Sequence, residues 1–275
     1  MILVTGATGT VGRNIVGQLL EAQEEVRPVS RNPGHAALPS EIEAVRGDLG
    51  EPESLRAALT GVDRVMLFPA EAPLDGFLTL ARDAGVQRVV LLSSSAAADE
   101  EPNAIGRRHL VHERAVAASG LPWTYVRPTA FMANDLMWAP TVRAEGVVRA
   151  PYGQAATAPV DERDIAAVAV RALLDDGHLG QAYELTGPES LTVTDRVETL
   201  GDVLGRSLRF EELDPAQARE LMSARVPPPV VDALLDMLAS RVGTNAPVSA
   251  TVEEVTGRPP HTYADWVAHR SSAWA

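Results

Sequence analysis

Three glycines at a spacing of three, Gly6, Gly9 and Gly12, stand directly behind the apolar run Ile2-Leu3-Val4 and are the residues most suited to chemistry in this chain. Gly6 permits a tight turn, Gly9 lets backbone approach a pyrophosphate, and Gly12 lets the next helix pack closely on the preceding strand. That helix, marked by Val11, Ile15, Val16, Leu19 and Leu20, turns its free N–H groups and the positive end of its dipole toward a phosphate. Gly6, Thr8, Gly9, Thr10, Val11 and Gly12 are therefore expected to cradle a dinucleotide.

The remaining candidates lie where strands are expected to end. After the second strand comes Ser30-Arg31-Asn32-Pro33. An acid at this place would bind the ribose 2′-hydroxyl of NAD, whereas an arginine suits a 2′-phosphate, so Arg31 favours NADP(H) over NAD(H). Asp48 and Leu49 follow the third strand, where Asp48 either caps the next helix or sits beside the adenine. Phe68, Pro69 and Ala70 end the fourth strand and are expected near the ribose and nicotinamide. The fifth strand ends in Ser93, Ser94 and Ser95, with Ser93 expected at the cofactor and Ser94 as a hydrogen-bonding candidate for a substrate carbonyl. Pro128 and Thr129 complete the cofactor set. Phe131, Met132, Met137 and Trp138 are either an apolar substrate wall or the core of a lobe, and their place after the sixth strand favours the wall.

Composition closes several other routes. There is no cysteine, which removes disulfides, thiol nucleophiles and cysteine-ligated metals. There is no lysine either: all 24 basic residues are arginine, so a Schiff base or a lysine that lowers a tyrosine pKa is unavailable. A net charge of −13 argues against nucleic acid or an anionic membrane as partner. The first strand starts at residue 2, with no room for a signal peptide before it, and no apolar run is long enough for a bilayer, so a cytoplasmic protein is expected. A homodimer is left open.

The elements that must position these residues alternate. Strands are expected at Ile2–Val4, Glu25–Val29, Ile42–Arg46, Val62–Phe68, Arg88–Leu92 and Trp123–Val126, with helices after Gly12, at Pro52–Leu59, at Leu74–Ala84 and at Asn103–Ser119. This is an α/β pattern: a Rossmann-type doubly wound parallel sheet over residues 1–150, then a small, mainly helical C-terminal substrate lobe over 151–275. Asp161 is expected to cap a helix over 163–174, with capping and first-turn charge accounting for Asp161 and Asp164. A strand near 181–186 returns to the main sheet, Leu208–Leu213 is strand-like, and Pro227-Pro228-Pro229 starts another helix. Tyr183 and Trp266 read as core.

The glycine motif, the serine-rich fifth strand and the stretch from His109-Leu110-Val111-His112-Glu113-Arg114 to Leu121-Pro122-Trp123-Thr124-Tyr125-Val126-Arg127-Pro128 together resemble the atypical short-chain dehydrogenase/reductases. The NmrA-like branch, with its triphenylmethane and quinone reductases, is the nearest match. The resemblance covers roughly residues 1 to 190 and implies a Rossmann fold, NADP(H) binding and a small substrate lobe. It also exposes a departure. Ordinary short-chain dehydrogenases use Tyr-x-x-x-Lys, in which the lysine lowers the pKa of the proton-donating tyrosine. The aligned places here hold His109 and Glu113, and none of Tyr125, Tyr152, Tyr183 and Tyr263 has a lysine after it. Two explanations follow. In one, the protein transfers hydride from NADPH to an apolar, conjugated acceptor such as a quinone or enone that needs little protonation, with His109 as the candidate acid. In the other, it binds NADP(H) without turnover and acts as an NmrA-type redox sensor. His109, His112 and Glu113 have helical spacing that could hold a metal, but no further ligand is identifiable, so no metal is expected.

Overall fold

The computed structural model describes residues 1–35, 38, 39, 42–224 and 226–275. In chain order the elements begin β1 (Ile2–Val4), α1 (Thr10–Glu21), β2 (Val26–Ser30), β3 (Val45–Arg46), β4 (Arg64–Leu67), α2 (Asp75–Asp83), β5 (Arg88–Leu92), α3 (Ala104–Ala118) and β6 (Trp123–Pro128). They continue with α4 (Ala139–Glu145), β7 (Val147–Ala150), β8 (Ala156–Thr157), α5 (Glu162–Leu174), β9 (Ala182–Leu185), β10 (Leu191–Thr192), α6 (Val193–Leu204) and β11 (Arg209–Glu212). The chain ends with α7 (Pro215–Ser223), α8 (Pro228–Ser240), α9 (Thr251–Thr256) and α10 (Tyr263–His269).

Seven strands form one parallel sheet in the order β3-β2-β1-β4-β5-β6-β9. The order reverses between β1 and β4, and in an open α/β sheet a ligand crevice forms outside the carboxyl ends of the strands at such a switch point. The central strands are buried on both faces, as Ile2-Leu3-Val4 and Val65-Met66-Leu67 require. One face carries α1 and α5, whose Val11, Ile15, Leu19, Ile165, Val168 and Leu173 join Ile2, Val4, Met66 and Val90 in a single core. On the other face Leu55, Phe77, Leu78 and Val116 pack against Leu3, Val65, Leu67 and Leu91. The expected helix at 52–59 is shorter than its pattern suggests. It is a 3-10 turn, Pro52–Leu55, from which Leu55 and Leu59 still reach the core.

The lobe is interleaved with the sheet. Residues 132–150, comprising the 3-10 segment Met132–Trp138, α4 and β7, pack with α6, α10 and the C-terminal Trp274 in a separate core. The chain then goes back to the sheet for α5 and β9 before completing the lobe, so at least three crossings join the halves. Tyr263 and Trp266 are fully buried and stacked, with ring centroids 5.5 Å apart. Met132 and Trp138, expected to favour a substrate wall, are instead part of this lobe core, 1% and 5% exposed. The residues after a sixth strand can line a cleft or anchor the next domain, and here the side chains turn inward.

That core encloses a charged pair. The Arg196 guanidinium donates to both oxygens of Asp135 at 2.7 Å, the Tyr263 hydroxyl donates to Asp135 at 2.8 Å, and the guanidinium lies 5.2 Å from the Trp138 ring. Burial pushes the Asp135 carboxyl up, opposed first by Arg196. Removing one member of such a pair leaves the other charge buried and unmatched, which costs about 3–5 kcal/mol. Asp135→Ala is therefore expected to lose stability on that scale in urea unfolding. A loss below about 1 kcal/mol would show the pair to be dispensable.

Candidate active site

A cleft of about 690 Å³ opens at the switch point, floored by the glycine turn. Gly6 sits at φ +58°, a left-handed conformation, and a Cβ there would meet Phe68 Cγ at 2.7 Å. At Gly12 a Cβ would lie 2.2 Å from the Gly6 carbonyl oxygen, so the start of α1 rests directly on the turn. Gly9 is the N-cap of α1, extended at φ −75° and ψ 171°, and a Cβ there would meet nothing nearer than 3.4 Å. No side chain caps the first amides of the helix. Exposed donors facing open space are what a pyrophosphate needs. Thr5, buried beside the turn, donates to the Met66 carbonyl at 3.3 Å and accepts from the Phe68 N–H at 2.8 Å, which couples the ends of β1 and β4 across the switch point.

The structure brings Gly6, Thr8, Arg31, Asp48, Leu49, Phe68, Pro69 and Ala70 together around this one cleft. Arg31 is exposed at its edge, with Ser30 tied to the Asn32 N–H at 3.1 Å. Asp48 accepts from the Gly50 N–H at 2.9 Å, which folds Gly47-Asp48-Leu49-Gly50 into a wall. The following 3-10 turn starts at Glu51 without any side-chain cap. Thr10, Val11 and Gly12 belong to α1, and the Val11 side chain is core. Sequence reasoning missed Val29, Asn32, Gly47, Gly50, Glu71, Ala72 and Arg108 as cleft residues. The paired glycines around Asp48 were a readable turn signal. Arg108, which comes from α3 and forms an ion pair with Glu71 over the cleft, carried none.

The strand ends further along the sheet hold a different group. Glu113, at the place of the missing lysine, is 4% exposed and grips Arg127 with two hydrogen bonds, 2.9 Å from Nε and 2.6 Å from Nη2. The Ser93 hydroxyl donates to Glu113 at 2.5 Å, and the Tyr125 hydroxyl donates to the Glu113 carbonyl at 2.7 Å. Ser93 is itself 3% exposed, so its hydroxyl serves this network. Ser94 caps the 3-10 turn Ser95–Ala98 by accepting from the Ala96 N–H at 3.3 Å. Pro128 is buried, and the exposed Thr129 directs its hydroxyl at the Leu185 and Ala158 carbonyls, 3.2 and 3.3 Å away. Phe131 is half-buried against the sheet core and Met137 is 46% exposed. Asp161 caps α5 through the Arg163 N–H at 2.7 Å, and Asp164 accepts from the His261 N–H at 2.8 Å. Tyr183 is half-buried with its hydroxyl 2.7 Å from His178 Nδ1.

His109 is not the poised acid its ordinary pKa suggests. Its Nδ1 is buried without a hydrogen-bond partner among the described residues, as is that of His112. Burial, aided by His112 and Arg108, lowers the His109 pKa from 6.5 to about 4. The ring is thus neutral at physiological pH and has no imidazolium proton to give. With the carboxylate of Glu113 turned to Arg127 and Ser93, no group of three or more metal-binding side chains gathers among the described residues. A folded pKa below the unfolded value means that the unfolded chain binds the extra proton as pH falls from 6.5 toward 4, and stability drops through that window. NMR titration is expected to place the His109 midpoint near 4, and His109→Gln to flatten that part of the stability profile. A midpoint near 6.5 would restore the imidazolium as a possible acid.

Known proteins can now be set beside this geometry. Residues 6–176 match the model of a family described as NAD(P)H-binding. The chain is 47% identical over 283 residues to the (4-alkanoyl-5-oxo-2,5-dihydrofuran-3-yl)methyl phosphate reductase of Streptomyces griseus, covering 100% of this chain and 99% of that one. It is 36% identical over 283 residues to an NAD(P)H azoreductase of Xenophilus azovorans, with the same 100% and 99% coverage. A crystal structure of an NADPH-dependent quinone oxidoreductase from Escherichia coli, 30% identical, superposes with a TM-score of 0.80 over 98% of this chain and 100% of the other.

Proposed function

The chain belongs to the NAD(P)H-binding family, among the atypical, NmrA-like short-chain dehydrogenase/reductases, and on that premise we propose that it is an NADPH-dependent reductase of apolar, conjugated acceptors of the quinone or enone type. The observation that carries the acceptor class is the buried Ser93–Glu113–Arg127 group. Where the wider superfamily relies on a lysine to sharpen a tyrosine acid, a carboxylate here is spent on holding two strands together. Tyr125, the nearest phenol, donates to a backbone carbonyl, and its pKa is pushed up by burial and by Glu113. His109 is neutral. A localised alkoxide would have no strong acid to receive a proton from, whereas a delocalised enolate or hydroquinone anion needs none at the moment of its formation.

The cofactor residues fit this role. The α1 amides would hold the pyrophosphate, Arg31 would face the 2′-phosphate, Asp48 and Leu49 would wall the adenosine side, and Phe68 would lie toward the ribose and nicotinamide. When bound, NADPH supplies the hydride. The protein's own work is to orient the two reactants and exclude water between them, which accounts for several kcal/mol of barrier in well-aligned reactions, roughly 7–11 at most. The named activities of the relatives favour turnover over cofactor binding alone. The Streptomyces griseus enzyme acts, by its name, on a dihydrofuran ring bearing an oxo and an alkanoyl group, which is an enone, and the same chemistry is assigned here.

NADPH oxidation with matched acceptors tests this reading. Quinones and enones are expected to exceed a saturated ketone or aldehyde by about a hundredfold in kcat/KM, with NADPH preferred over NADH. Arg31→Glu is expected to erase that cofactor preference through the loss of a charge-assisted contact. Equal rates with saturated carbonyls would sink the acceptor assignment, and an unchanged NADPH preference would sink the role of Arg31.

A further inference from the structure

Two charged side chains from separate elements meet at the dinucleotide cleft. Glu71 stands in the loop leaving β4, three residues beyond Phe68, and Arg108 stands in the second turn of α3, beside His109. Both line the same cleft as Gly6 and Thr8 of the glycine turn, and they form an ion pair there. The other charged residues of that lining are Arg31 and Asp48, so its side-chain cations and anions balance. While Arg108 is spent on Glu71, the cleft side chains offer an anionic dinucleotide no net attraction.

The two partners differ in how they are held. The backbone under Arg108 is fixed at both ends: Asn103 caps α3 by accepting from the Ile105 and Gly106 N–H groups at 2.9 and 3.0 Å, and five residues beyond Arg108 the buried Glu113 is locked to Arg127 and Ser93. The side chain of Arg108 is what remains free to move, and it is 44% exposed. Glu71 is 89% exposed and makes no other hydrogen bond among the described residues. Water competes for both groups, so this pair contributes little to stability and exchanges partners readily.

Position in the sheet decides which part of a dinucleotide Arg108 can serve. Arg31 follows β2, whereas Glu113 anchors α3 at the end of β5, three strand spacings or about 14 Å across the sheet. The glycine turn follows β1, between the two. Arg31 and Arg108 therefore flank the turn from opposite sides. A 2′-phosphate belongs to the Arg31 side, which leaves the pyrophosphate for Arg108.

We propose that Arg108 is a pyrophosphate contact that Glu71 holds in reserve: the incoming dinucleotide takes the guanidinium from Glu71, and the carboxylate is released to water. The inference rests on the cofactor reading above. A guanidinium forks onto a phosphate as it does onto a carboxylate. Glu71, already exposed, loses little on release, whereas the pyrophosphate brings negative charge that the cleft has to neutralise. Arg108 then sets affinity for NADP(H) and NAD(H) alike, while Arg31 sets the preference between them. Glu71 competes with the cofactor for Arg108, which eases release of the oxidised dinucleotide after turnover.

Calorimetric titration with NADP⁺, and with NAD⁺ read by its displacement of NADP⁺, tests this without turnover. Both side chains are exposed, so the nucleotide-free variants are expected to melt like wild type. Arg108→Gln is expected to weaken both nucleotides by the same factor, about tenfold. Glu71→Gln is expected to tighten both about two- to threefold. The double variant is expected to stay about fivefold or more weaker than wild type, because the contact is gone whether or not its competitor remains. A double variant that binds like wild type overturns the proposal, since Arg108 would then only neutralise Glu71. Weaker binding by Glu71→Gln overturns it too, because the intact pair would then build the site. If Arg108→Gln weakens NADP⁺ and spares NAD⁺, the pyrophosphate assignment is wrong. Unchanged binding of both by Arg108→Gln overturns the proposal and leaves the cofactor reading standing, whereas a wild-type protein that binds neither nucleotide overturns both.

Discussion

The approach of α1 to its own turn is the constraint on which the rest of the molecule depends. With 2.2 Å between the Gly6 carbonyl and the place of a Gly12 Cβ, no side chain fits there, and the helix settles on the backbone of the loop it leaves. That contact sets the uncapped start of α1 beside the turn that floors the crevice at the switch point. It also brings Val11, Ile15 and Leu19 down on the sheet, where α5 packs beside them. One steric fact thus serves both the proposed phosphate site and the larger core, which is why an open turn and a dry interior occur within a few residues.

At the far end of the sheet an electrostatic choice sets the chemistry. Glu113 is satisfied by Arg127 and Ser93, and this group ties α3 to the ends of β5 and β6. Breaking it would leave a buried charge, so the network holds the strand ends rigid at the cost of offering no acid. His109 is driven neutral by the same burial. On the proposed reading, catalysis then depends on placing reactants and on acceptors that stabilise their own negative charge.

Much of this was legible in the residues. The Gly6-Gly9-Gly12 turn, the six alternating strands and the Asp161 cap follow from backbone preference and apolar periodicity, which act locally and leave local traces. Arg31, Asp48 and Phe68 were traceable because strand ends converge in this topology. What stayed hidden depended on side-chain direction and distance. The Met132 and Trp138 side chains turn into the lobe core because Val193, Val197, Leu200 and Trp266 gather with them there, from 55 residues or more along the chain. Ser93 was placed at the right strand end, but its hydroxyl is claimed by a residue twenty positions away. The neutrality of His109 is a property of burial, to which the residue type gives no clue. Arg108 reaches the cleft from α3, an element not expected to contribute to it.

The protein belongs to an NAD(P)H-binding family and, on the proposed reading, lends little acid to the reaction. The most direct test is to follow the label. With NADPH carrying deuterium at the transferred C4 position and an enone acceptor, mass spectrometry of the product reads the origin of each new hydrogen. The account requires one deuterium per product, on the carbon remote from the carbonyl, with the second hydrogen drawn from water. A reduced product without deuterium would contradict it.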